Sequence, residues 1–139
     1  MTERTLEVVT GPDTLAELQS TLDSVWATDH VSDYTRMCID LAVSEIGTNI
    51  IEHSGNGQPM NLRMVVTLLP DSISVVLTDD GRPVAVDLSQ TAMPGEWSDR
   101  GRGLAIAHRV LDELSYSRND GGNRWMLMRR RSEESHGDG

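Results

Sequence analysis

The sequence predicts an α+β two-layer sandwich, a mostly antiparallel mixed sheet with about three helices on one face. Three observations point there. Apolar residues recur at helical spacing in some stretches and in strict alternation in others. Hairpin punctuation joins two pairs of strands. The resulting order, β-α-α-β-β-loop-α-β-β, suits a largely antiparallel sheet with its helices on one side.

The elements follow one by one. Thr2 to Thr10 alternates Leu6 and Val8 against Thr5, Glu7 and Val9 and reads as a strand. Gly11-Pro12-Asp13 breaks it, and Asp13 or Thr14 is the expected cap of a helix carrying Leu15, Leu18, Leu22, Val25 and Trp26. A second helix is expected from Ser32 or Asp33 to about His53, ended by Ser54-Gly55-Asn56-Gly57. Strands at Asn61–Leu69 and Ser72–Asp79 meet at Pro70-Asp71. Asp80 to Arg100 has no regular period, and so long a loop is usually functional, often a lid. A third helix opens near Gly101–Leu104 and runs to about Asp112. A last hairpin pairs Leu114–Arg118 with Arg124–Arg131 across Asp120-Gly121-Gly122.

Composition bounds the function. With 139 residues, 37% of them hydrophobic, the chain is expected to form one domain over residues 1–131, with a polar tail at 132–139. Phe is absent, so Leu, Val, Ile, Met and Trp must fill the core. Twelve Lys and Arg against 22 Asp and Glu give a net charge of −10, which disfavours nucleic acid and anionic membrane as partners. Cys38, the single cysteine, reads as a buried thiol. No signal peptide or membrane-spanning run is evident, and a cytoplasmic location is expected.

Three motifs carry chemistry. On the second helix Glu45 and Asn49 stand four apart, with Glu52 and His53 continuing the stripe. A solvated polar face is the plain reading of it. The sharper one makes Glu45 a general base and the Asn49 side-chain oxygen a Mg²⁺ ligand. In the second motif, Asp79 shares parity with Ile73, Val75 and Leu77, so a carboxylate points to the core side at the strand's end. It is either hairpin punctuation or an acceptor for a ligand amine, with Gly81 letting the backbone approach a flat ring. The third, Gly101-Arg102-Gly103-Leu104, is either a flexible helix start or an anion site, with Arg100 and Arg102 beside it. His53 reads as structural, His30 and His108 lack metal-ligand spacing with Cys38, and Arg129-Arg130-Arg131 reads as a solvated strand end.

In their order and spacing the three motifs resemble the GHKL ATPase superfamily, the Bergerat fold shared by gyrase and histidine kinases. LAVSEIGTNIIEHS, LTDDGRPV and GRGLAIAHRVLDELSY look most like its stand-alone anti-sigma-factor serine/threonine kinases, and the likeness spans about Leu6 to Arg130. The resemblance implies ATP and Mg²⁺ as cofactors, Glu45 as catalytic base and Asn49 as metal ligand. It puts Asp79 on the adenine amino group, with Gly81 beside the ring. Gly101, Arg102, Gly103 and Leu104 fall at the phosphates, and Asn123 near the base. It also implies a STAS-domain anti-sigma-factor antagonist as substrate, a sigma factor as competing partner and a possible homodimer. Pro83 stands where many members have glycine, Val84 where an aromatic is usual and Asn123 where Thr is common. A nucleotide-gated binding module without kinase activity is the rival. A histidine-kinase catalytic domain would need a helical dimerisation segment that this length is not expected to hold.

Overall fold

The computed structural model describes residues 1–55, 58–82, 98–119 and 121–131, with backbone alone for 98–103. The order along the chain is β1 (Thr2–Val9), α1 (Thr14–Trp26), α2 (Asp33–Asn49), a π-helical turn (Ile50–Ser54), β2 (Asn61–Leu68), β3 (Ser72–Asp79), α3 (Ser98–Val110), β4 (Glu113–Asn119) and β5 (Gly122–Arg130). The strands form one sheet in the order β1-β2-β3-β5-β4. Every pairing among the described residues is antiparallel, so the expected two-layer α+β architecture stands with no parallel pair among them.

Strand alternation builds the core one rung at a time. Met64, Leu77, Trp125 and Tyr116 pair in register across four strands, and Val66, Val75, Leu127 and Leu114 form the next rung. The helices close over these rungs with Leu18, Leu22 and Val25 of α1, Ile39, Val43 and Ile46 of α2, and Leu104 and Ala107 of α3. Trp125 is fully buried, its ring 4.8 Å from that of Tyr116 and tilted by 50°. Large aromatic burial of this kind supplies much of the hydrophobic driving force in a core without Phe. Cys38 is a buried free thiol, as expected.

Ser32 caps α2 by accepting from the Thr35 amide at 3.2 Å, which fixes the helix start where its sequence suggested. Asp13 precedes α1 without a side-chain cap, and the Thr14 hydroxyl instead accepts from the Gly11 amide at 2.7 Å. The second helix does not run evenly to His53. It gives way at Ile50 to a π turn, closed by the Gly55 amide on the Ile50 carbonyl at 3.1 Å.

Two strand-end expectations change. Gly122 is a paired residue of β5 rather than turn, with Asn119 opposite it, and the strand takes in Asn123 before the expected start at Arg124. The arginine run is not simply solvated. Arg129 alternates inward, donates to the Val110 carbonyl at 3.0 Å and lies over the Tyr34 ring. Arg131 is held by the Leu69 and His30 carbonyls and by Asp29, and only Arg130 is exposed. A guanidinium carries five donors, and in a strand of alternating burial the inward ones must find carbonyls. The polar tail and most of the expected lid, including Pro83, Val84 and Trp97, lie outside the described residues. Among the described residues no helix is long and apolar enough to cross a membrane.

Candidate functional site

The apolar rungs stop at one end of the sheet. There the core-facing residues are Val8, Leu62, Asp79, Asn123 and Arg118, paired in register across all five strands. Asp79 is placed inward by the parity read from the sequence. Its neighbour Asp80 turns out and is held by the backbone amide and side-chain amide of Asn61 at 2.9 and 2.7 Å.

Asp79 is 5% exposed. Its Oδ1 accepts from the Gly81 amide at 2.8 Å and from Asn123 Nδ2 at 2.9 Å. Its Oδ2 is buried and has no donor among the described residues. Burial pushes the carboxyl above its usual range. The bonds from Asn123 and Gly81 pull it down, the nearby Asp80 charge adds to the rise, and Arg118 opposes it. A buried acceptor left open costs about 1–3 kcal/mol, which makes Oδ2 of Asp79 a candidate acceptor for a donor from outside the described residues.

Asn123 is the hub of this end. Besides Asp79, its Nδ2 reaches the Arg82 carbonyl at 2.7 Å and Ser54 Oγ at 3.2 Å. Its Oδ1 accepts from the Tyr116 hydroxyl and from Arg118 at 3.2 Å. Every polar atom of the side chain is thus used within the protein, so Asn123 positions Asp79 and has no free atom for a ligand. Through Ser54 the hub ties the continuation of α2 to β3. Arg118 also donates to the Gly81 carbonyl at 2.8 Å.

Two glycines permit this closeness. Gly122 has φ +142°, and a Cβ there would lie 1.9 Å from the Asp79 carbonyl oxygen. A Cβ on Gly81 would meet the Ser54 carbonyl oxygen at 2.6 Å and the Met60 sulfur at 2.7 Å. The expected reason for Gly81 was approach to a flat ring, and the described contacts give another, the packing of the segment after β3 against the π turn.

On α2, Asn49 is 6% exposed, and neither its Oδ1 nor its Nδ2 has a partner among the described residues. Glu45 stands one turn before it and is half-buried. Glu52 and His53 fall within the π turn, where the 3.6-residue stripe no longer holds, and Glu52 is exposed. π turns inserted in α-helices are frequent at functional sites.

α3 begins at Ser98, so Gly101 and Gly103 lie inside it rather than at its first residue. The amides of a helix that lack an internal partner are the first four, which include Gly101 but not Gly103. The Arg102 side chain lies outside the described residues. Leu104 is fully buried in the core, and as the seventh residue of α3 it has its amide within the helix ladder. Ser54, Tyr116 and Arg118 went unassigned in the sequence. Tyr116 and Arg118 stand two apart on β4, which alternation would have placed on the Asn123 side. Nothing local marked Ser54 beyond its place at a helix break. A recess of about 540 Å³ is lined by Glu7, Arg63, Thr78, Asp79, Gly122 and Asn123, of which Glu7, Arg63 and Thr78 alternate to the sheet face opposite the core-facing Asp79 side chain.

Comparison with known proteins places the fold. A Mycobacterium tuberculosis structure of RsbU and RsbW domains is similar at TM-score 0.66 and 16% identity, over 94% of this chain and 32% of that one. The histidine kinase domain of an Erythrobacter litoralis blue-light activated histidine kinase gives 0.61 and 18%, over 88% and 61%. The SiaB–SiaC complex of Pseudomonas aeruginosa gives 0.60 and 14%, over 91% and 89%. The chain therefore spans about a third of the first of these structures and three-fifths of the second, and at these identities the likeness is one of fold. No curated protein matches by sequence. The sequence itself matches the histidine kinase-like ATPase domain over residues 8–129, and the chain belongs to that family.

Proposed function

We propose that this ATPase-family domain is an ATP- and Mg²⁺-dependent protein serine/threonine kinase acting as an anti-sigma regulatory factor. Its substrate is a STAS-domain anti-sigma-factor antagonist, and a sigma factor competes for the same kinase. The observation that carries the nucleotide part is the half-satisfied carboxylate of Asp79. One oxygen is locked by Gly81 and Asn123 while the buried Oδ2 waits for a donor, which suits the exocyclic amine of adenine.

The residues present fit both implied groups. The Asn49 amide, buried with both polar atoms unpartnered among the described residues, suits a hard cation and the phosphates around it. Asn49 would hold the cation, which would supply charge neutralisation to the phosphates. When bound, ATP supplies the phosphoryl group and Mg²⁺ neutralises its charge. Glu45 would take the proton of the substrate hydroxyl, whose oxygen would bond to the γ-phosphorus of ATP while the bond to the bridging oxygen breaks and ADP leaves. Gly101 adds a backbone donor for the phosphates. Likeness to an RsbW domain and to a protein found complexed with SiaC supports the partner-binding half of the reading.

The test separates the roles. Asn49→Ala is expected to give no heat with Mg-ATP in calorimetry. Glu45→Ala is expected to bind it and to transfer no labelled phosphate to a STAS protein. Full transfer by Glu45→Ala removes that residue from its role. Nucleotide bound by the unmodified chain without transfer to any STAS partner favours a nucleotide-gated binding module.

A further inference from the structure

Large apolar side chains that remain exposed are few among the described residues, and they are unevenly placed. Tyr34, Met37 and Leu41 are 55%, 51% and 36% exposed. They follow at steps of three and four on α2, opposite the buried Thr35, Cys38, Ile39 and Ala42. Met37 and Leu41 open onto a groove of about 540 Å³ between α1 and α2, walled by Asp23, Trp26, Asp33, Arg36 and Asp40. Trp26 Nε1 donates to Asp40 at 3.1 Å, which holds the indole as a fixed wall. Arg36 is paired with Asp33, so the groove carries three aspartates and one cation that is already engaged.

We infer that this face docks a partner protein through a basic amphipathic segment. Its apolar side chains lie along Met37, Leu41 and Trp26, and its Lys or Arg residues meet Asp23, Asp33 and Asp40. An apolar strip rimmed by one sign of charge is matched by a segment of the opposite sign, with the strip supplying affinity and the rim orientation. The next step of four along the helix from Leu41 is Glu45, about 6 Å further along the axis. A docked segment therefore runs toward the proposed base. That consequence rests on the proposed function, whereas the docking itself does not.

The experiment titrates the full chain, without nucleotide, with a synthetic lysine–leucine amphipathic helix and with its glutamate–leucine counterpart. The basic peptide is expected to bind saturably and one-to-one, the acidic one not at all. Met37→Glu/Leu41→Glu makes the protein more acidic, so diffuse attraction would strengthen, while groove docking is expected to weaken roughly tenfold, or about 1.4 kcal/mol. Circular dichroism checks that this surface variant is folded, and Asp23→Lys supplies a second, charge-only weakening. Unchanged or tighter binding by the double variant, equal binding of the acidic peptide, or no binding of the basic one overturns the inference. Asn49→Ala is expected to dock normally, which keeps failure of the nucleotide reading distinct from failure of this one.

Discussion

The β3–β5 pair buries an arginine at one end and an aspartate at the other, and the two are accommodated differently. Arg129 is placed opposite Ile73, donates to the Val110 carbonyl and is covered by the Tyr34 ring. Asp79, six residues along β3, receives two donors on one oxygen and none on the other among the described residues. The first arrangement welds α3 and α2 to the sheet. The second leaves a buried acceptor open at the end where α2 turns into its π segment. Burial of a charge by itself therefore does not mark a site here. The proposed nucleotide site rests on the acceptor that Asp79 keeps toward the end of the sheet.

Breaking the apolar rungs between the two ends has the largest expected effect. Trp125→Ala should cost about 3–5 kcal/mol in urea denaturation, through lost transfer energy and the cavity left beneath Tyr116. Asp79→Asn sharpens the contrast, because it places a donor where an acceptor was open. Adenine nucleotide affinity should fall about 10- to 100-fold, the worth of roughly 1.5–3 kcal/mol for a hydrogen bond to a charged group, while the chain stays folded.

The same residue has a pH signature. The folded Asp79 carboxyl is held above its ordinary value of 3.8, so the folded state binds that proton more tightly than the unfolded one. Its contribution to stability is complete below 3.8 and is lost as pH rises through the raised folded value. Denaturation curves of the parent chain and Asp79→Asn across acid pH should differ by this slope. Nucleotide affinity should run the opposite way, weakening as pH falls through the raised value, because protonation removes the acceptor.

Arg129→Met tests the other end. It should cost about 1–3 kcal/mol in denaturation, from the carbonyl left without its donor, and leave nucleotide affinity unchanged. The smallest effect is expected of Tyr116→Phe, which removes one donor from the Asn123 hub. Loss of about 0.5–1.5 kcal/mol should appear as a few-fold weaker nucleotide affinity in calorimetry.

Much of this was legible before any coordinates. The inward direction of Asp79 followed from parity with Ile73, Val75 and Leu77, and the helical stripe put Glu45 and Asn49 one turn apart. The start of the second helix near Ser32 or Asp33 and the hairpin at Pro70-Asp71 were equally plain, because each depends on residues within a few positions. The role of Asn123 was not. Its hydrogen bonds run to Ser54, Asp79 and Arg82, which lie 69, 44 and 41 residues away. The inward Arg129 was missed although alternation predicts it, because a run of three arginines resembles a solvated end until the carbonyls that receive them are known.

By itself the sequence determined what is periodic and local: which segments are strands or helices, which face of each is apolar, and which side of β3 carries its terminal acid. Periodicity suffices there because backbone geometry repeats every 2 or 3.6 residues. Only the tertiary structure decided the strand order β1-β2-β3-β5-β4, the π turn after Asn49, and which buried polar atoms are satisfied and which stay open. Those outcomes depend on distant segments meeting in space, and no spacing within one segment encodes the hydrogen-bond partner that another brings.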